Sequence, residues 1–171
     1  MVCSMTCQKS AGFSILELLI TVAVIMVIAA IAVPHYLSSR LAANEAATVG
    51  SMRTVSSALI LYTTSYPDVG YPAALSNLSD GGTPSNCISP KIASSATACL
   101  IDNNLASGIK SGYSFIYSPD TSGVPAPGYT LNADPLNRGW TGRRSFFTNV
   151  PGVIHWNATA PATDTDPSIP M

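Results

Sequence analysis

From Phe13 to Val33 the chain is apolar at nearly every position, for a length that crosses the hydrocarbon core of a bilayer, which takes about 20 residues of helix. One carboxylate, Glu17, interrupts the run near its start. An acidic side chain at bilayer depth costs about 2.5–3.5 kcal/mol on insertion scales, so such residues are rare, mark function and require a partner.

The flanks suggest that partner. A polar leader, Met1 to Gly12, carries Lys9 as its only charged side chain, and the run ends at Pro34-His35-Tyr36. Lys9 and the terminal amine weakly favour a cytoplasmic N-terminus, which Arg40 opposes. A cut after Gly12 would place a new amine on Phe13, four residues before Glu17 and at the same bilayer depth. Pairing that amine with the carboxylate, within one subunit or between two, would offset the desolvation cost of both charges.

The segment Gly12-Phe13-Ser14-Ile15-Leu16-Glu17-Leu18-Leu19-Ile20, followed by an apolar helix and Pro34, resembles the N-terminal signature of type IV pilins and type II secretion pseudopilins. The resemblance covers about the first quarter of the chain. It implies that prepilin peptidase cuts between Gly12 and Phe13 and methylates the Phe13 amine. It also implies that Glu17 guides assembly by pairing with the N-terminus of a subunit already in the filament. Two positions depart from the family pattern: Ala11, where many members carry a basic residue before the glycine, and Met26, where many carry a helix-loosening glycine.

Two plainer readings compete. A secretory signal would use Leu18 to Ile28 as its apolar region and Ala30-Ile31-Ala32 as its cleavage site; it leaves Glu17 without a purpose. An uncleaved single-span anchor is the other.

Charged residues make up 10% of the chain, against roughly 25% in typical globular proteins, which favours a secreted, assembled protein. The net charge of −1 and the scattered basic residues, with Arg143-Arg144 the only adjacent pair, argue against a nucleic-acid partner. Cys3 and Cys7 fall in the leader. Cys87 and Cys99 fall in the part the resemblance places outside the cytoplasm, where a disulfide persists; bridging them is worth on the order of 3 kcal/mol. No histidine stands at ligand spacing to either pair, so no metal is expected.

Past the membrane run, Leu37, Leu41, Ala42, Val49, Met52, Val55, Leu59 and Tyr62 recur at three- and four-residue steps and mark one apolar helical face. Pro34 is expected to kink the helix without ending it. Unbroken from Phe13 to about Ser65, the helix would be roughly 80 Å long. Turn residues begin at Tyr66-Pro67-Asp68-Val69-Gly70. Short helices are expected at Ala73 to Leu78 and Leu100 to Ser107, and residues 81–98 read as a loop pinned by the disulfide. Four short strands follow, Tyr113 to Tyr117, Tyr129 to Ala133, Arg143 to Thr148 and Val153 to Trp156, bounded by turn residues.

The expected fold is α+β and pilin-like. A leader (1–12) precedes a transmembrane or filament-core helix (13–33), its amphipathic continuation (34–65), an αβ loop with the disulfide (66–112), an antiparallel sheet (113–157) and a mobile tail (158–171). Pilins usually hold their disulfide around the C-terminal strands; here it precedes them, so the family's receptor-facing disulfide region does not carry over.

No enzymatic activity and no cofactor are expected. His35 lies beside the membrane run and His155 in a strand, without triad or metal spacing. Asp120-Thr121-Ser122-Gly123 and the pair Asp164 and Asp166 lack calcium-motif spacing. Asn77-Leu78-Ser79 and Asn157-Ala158-Thr159 are glycosylation sequons, which occur often by chance.

The expected function is that of a structural pilus subunit, major or minor. It begins in the inner membrane as a prepilin, leader in the cytoplasm and C-terminal part in the periplasm, and ends in an extracellular filament. Its partners are other copies or other pilins, prepilin peptidase, the inner-membrane assembly machinery and, before assembly, lipid. The alternatives are a pseudopilin of a periplasmic pseudopilus and a single-span envelope binding protein.

Overall fold

The computed structural model describes residues 12–81, 87 and 93–169. The leader cysteines and most of the loop expected over 81–98 lie outside the described residues. The chain divides into two compact units at Ser38/Ser39.

The first unit is helical. Helix α1 spans Ile15–Ser65 and contains Pro34, so the proline does not terminate it. Side chains from Phe13 through Val33 are almost all exposed.

In the second unit the helix turns one stripe inward: Leu41, Glu45, Thr48, Ser51, Met52, Val55, Ala58, Leu59 and Tyr62. Leu37 and Ala42, expected on that face, are exposed, and Val49 is half-buried. The observed stripe steps 41, 45, 48, 52, 55, 59, 62, the three-four alternation that keeps one side of a helix on a partner. It admits polar residues that a reading by hydrophobicity passes over.

The partner is a five-stranded antiparallel meander in the order β1 to β5. Its strands are β1 (Ile109–Lys110), β2 (Tyr113–Pro119), β3 (Tyr129–Pro135), β4 (Ser145–Asn149) and β5 (His155–Asn157). Register pairs Phe115 with Ala133, Leu131 with Thr148, Ala133 with Phe146, and Phe146 with Trp156. Alternation in the strands thus gathers Tyr113, Phe115, Leu131, Ala133 and Phe146 in one core with Met52, Val55, Leu59 and Tyr62 of α1. Fully burying a side chain of this size contributes about 1.5–3 kcal/mol.

Strand β1 was not expected. It is two residues long, set by Gly108 and Gly112, both at positive φ, where glycine meets no Cβ penalty. Strand β4 begins at Ser145 rather than Arg143, because the Arg143 and Arg144 amides turn toward a helix carboxylate instead of a neighbouring strand.

Between α1 and the sheet, a single 3-10 turn covers Leu75–Leu78 and helix α2 covers Asn103–Ala106, both shorter than expected. Cys87 and Cys99 are disulfide-bonded, with Cα atoms 5.8 Å apart. Residues beside Cys99 are also held by backbone: Ala98 N–H donates to Asn77 O (2.8 Å) and Leu100 N–H to Leu78 O (2.7 Å).

Asp102 caps α2, accepting from Leu105 N–H (2.8 Å), and pairs with Lys110 Nζ at 2.7 Å. The lysine contact, then the Leu105 amide, hold its carboxyl below the usual range. A depressed folded-state pKa stabilises above the unfolded value and is lost as pH falls through the folded one. Since both partners are part-exposed, we expect a contribution below about 1 kcal/mol. Thermal melts from pH 7 to pH 3 should therefore fall slightly less in Asp102→Asn than in wild type; equal slopes would mean the pair carries none of the acid sensitivity.

The expected mobile tail is corrected for its described part. Trp156 N–H donates to Pro167 O (2.9 Å), Ile169 N–H to Ile154 O (2.8 Å), and Asn132 Nδ2 to Ala162 O (3.1 Å). Ala162 is buried. The tail returns along β5 and covers its open edge, supplying partners to backbone groups that an edge strand would otherwise leave unpaired.

Candidate functional site

The first unit is an apolar helix that the rest of the chain leaves uncovered. Its most apolar 18-residue window has a mean hydropathy of 2.9, and none of it is buried within the chain. Phe13 is 76% exposed, as are, in large part, Ile15, Leu16, Leu18, Leu19 and Ile20. A surface this apolar demands lipid or other helices.

Glu17 lies in the first turn of α1, where the helix dipole favours an anion. Ser14-Ile15-Leu16-Glu17 also has the spacing of a capping box. Among the described residues the Glu17 carboxylate has no hydrogen-bond or ion-pair partner. Gly12, Phe13 and Pro34 are exposed as well.

The second unit contains a charged contact that was not anticipated. Glu45, 7% exposed, points from α1 at the start of β4. Its Oε1 accepts from Arg143 N–H (2.8 Å) and Arg144 N–H (3.3 Å), and its Oε2 accepts from Arg144 Nε (2.8 Å). The guanidinium lies over the rings of Phe146 and Trp156, 5.7 and 5.3 Å from their centroids. Tyr113 Oη donates to Arg144 O (2.8 Å); burial, then the nearby Glu45 charge, push its phenol pKa up. Gly142 packs against the Tyr113 ring so closely that an added Cβ would collide with it. One turn before Thr48, Asn44 Nδ2 donates to Thr141 O (2.8 Å). The signal for this latch was a glutamate at a buried step of the helical stripe.

The other sites considered in sequence are occupied by local structure. Asp166 accepts from Thr163 N–H (2.7 Å), Thr163 Oγ1 (3.0 Å) and Asn157 Nδ2 (2.9 Å); the Thr163 amide above all holds its pKa down. His155 Nδ1 contacts Asp166 O at 2.6 Å. Asp120 Oδ1 accepts from Ser122 N–H in a tight turn (2.9 Å). Among the described residues no three His, Cys, Asp or Glu side chains converge as a metal site. Asn77 Oδ1 accepts from Ala74 N–H (3.1 Å), and Asn157 Oδ1 from Thr159 N–H (2.9 Å), so both sequon asparagines serve local turns.

Residues 7–33 match the prokaryotic N-terminal methylation motif, the signature of type IV pilins and pseudopilins. No curated protein and no solved structure matches the chain. The apolar N-terminal helix followed by an antiparallel sheet is a pilin-like α+β architecture, and with the motif it supports a protein of the type IV pilin or pseudopilin class. The motif points to a structural subunit that prepilin peptidase processes and that polymerises with other pilins. Motif and helix together fit a membrane-anchored prepilin.

Proposed function

We propose that this chain is a polymerising subunit of a type IV pilus, cut between Gly12 and Phe13, methylated at Phe13, and assembled through its N-terminal helix. The observation that carries the reading is Glu17: a carboxylate without a partner among the described residues, in the first turn of a helix whose apolar N-terminal window is unburied. The Phe13 amine of a neighbouring subunit is a charge of the right sign at the right depth, and buried charges are well suited to selecting register. The apolar helices then pack in the filament core and the sheet units form its outer surface. The disulfide Cys87–Cys99 supports a unit exposed to oxidising surroundings outside the cytoplasm.

Mass spectrometry of the N-terminal peptide from membrane and sheared surface fractions tests this directly. A chain starting at methylated Phe13 in the sheared fraction is the expected result. The same terminus confined to membranes would favour the pseudopilin reading. An intact Met1 leader, or a start at Ile31 or Val33, would overturn the processing step. Replacing Gly12 by Leu should leave the leader attached, seen as an unprocessed band, since the bulky side chain blocks the cleavage position.

A further inference from the structure

The β3–β4 connection holds two apolar side chains out in solvent. Trp140 is 69% exposed and Leu136 is 55% exposed, and nothing described above uses either. The backbone beneath them is tightly organised. Trp140 and Thr141 N–H both donate to Asn137 O (3.0 and 2.9 Å), and Gly139 N–H donates to Gly142 O (2.8 Å). Asn137 N–H donates to Thr141 Oγ1 (3.0 Å). Arg138 folds back onto Arg143 O, Ala158 O and Ser145 Oγ at 2.7–2.8 Å. A large indole on so fixed a loop is presented, with little conformational entropy left to lose on contact.

The fully exposed charges around it are positive; Asp134, two residues before Leu136, is half-buried with its Oδ1 out of solvent. Arg143 is exposed, and Arg40, one turn before the Asn44 that grips Thr141, lies on the same helical face and is exposed too. Neither forms an ion pair among the described residues. The nearest helix acid, Glu45, is consumed by Arg144. A tryptophan and a leucine flanked by free arginines match the bilayer interface, where Trp rings settle at headgroup level and basic side chains are drawn to anionic lipid. The chain limits the distance: Asn44 follows Val33, the end of the apolar run, by eleven residues, a tether of at most about 40 Å even fully extended.

We propose that the Leu136–Trp140 loop seats the second unit on the anionic lipid surface, Trp140 and Leu136 entering the headgroup region and Arg40 and Arg143 pairing with lipid phosphates. This rests on the reading of Phe13–Val33 as a membrane span. A subunit so seated waits in the membrane before incorporation and gives up the lipid contact when it joins a filament.

The test uses the full chain with Trp156→Phe, which leaves Trp140 as its only tryptophan. It is reconstituted at low density in phosphatidylcholine–phosphatidylglycerol vesicles whose acyl chains are brominated near the headgroup or near the midplane, and flotation reports insertion. The expected result is a floating chain with blue-shifted Trp140 emission, quenched more by shallow than by deep bromines. Replacing Arg40 and Arg143 by Ser should weaken that quenching. Trp140→Phe, with Trp156 remaining, should show none of it; subtracting its signal from wild type isolates Trp140 should Trp156→Phe fail to fold. A floating chain whose Trp140 emits unquenched, as in water, overturns the proposal and leaves the membrane span standing. Emission that is unquenched but shifts blue with rising protein density overturns it in favour of a second copy of the chain. A chain that does not float overturns both the span and the seat.

Discussion

Glu17→Ala should insert into membranes as well as or better than wild type and yet leave the sheared surface fraction nearly empty of filaments. Removing the carboxylate relieves an insertion cost that reaches about 2.5–3.5 kcal/mol at the centre of a span and is smaller near its end, so a subunit that merely needed an anchor would gain from the change. A subunit whose incorporation depends on pairing the carboxylate with an incoming or resident amine would lose the contact that selects register. Glu17→Gln separates the two parts of that contact: it keeps hydrogen-bonding capacity and volume but not charge, and should assemble poorly as well. Filament yield is read by immunoblotting of sheared and membrane fractions, with processing at Gly12 checked in the same samples. A normal yield from Glu17→Ala would sink the pairing role, whatever the state of the leader.

The second large effect is expected in the second unit. Glu45→Ala removes one nearly buried carboxylate and leaves two backbone amides, those of Arg143 and Arg144, and one guanidinium Nε without their acceptor. An orphaned buried donor costs about 1–3 kcal/mol, and breaking a buried charged contact costs about 3–5 kcal/mol. The Arg144 side chain is 41% exposed, so water recovers part of its loss, and we expect about 3 kcal/mol in total. That corresponds to a fall in Tm of very roughly 10 °C for a unit of this size. Arg144→Ala should cost much less, because Glu45 keeps both amide donors while the guanidinium it loses is part-exposed. Thermal melts of the two variants side by side decide the matter: equal and small shifts would show that the latch adds little beyond its surroundings.

The Glu45 contact also shows what a sequence conceals. The stripe 41, 45, 48, 52, 55, 59, 62 is regular, but a count of apolar residues substitutes Ala42 and Val49 for Glu45 and Thr48. The carboxylate is tolerated on the buried side because three donors meet it there, and those donors come from residues nearly a hundred positions later. The start of β4 at Ser145 is hidden for the same reason. Arg143 looks like the beginning of a strand by its neighbours, but its amide is taken by a helix side chain. Strands β2 to β4 were legible because Tyr113, Phe115, Leu131, Ala133 and Phe146 are buried between turn residues. Strand β1, two residues between glycines, had no period to read.

The C-terminal residues make the opposite point. Prolines, threonines and aspartates over 158–171 have the composition of an unstructured tail. The order of residues 158–169 comes from an open strand edge at β5 and from Asn132 and Asn157, which supply partners for backbone and carboxylate groups of the tail.

What the sequence determined by itself is the apolar helix with its one acid: an apolar run of bilayer length, a glycine before it and a carboxylate four residues past Phe13 are local features whose energetics depend on solvent and position in the chain. The tertiary structure decided the latch at Glu45, the covered edge of β5 and the fixed presentation of Trp140. Each of those depends on satisfying a donor, an acceptor or an apolar surface with residues distant in sequence, and only the folded chain says which ones meet.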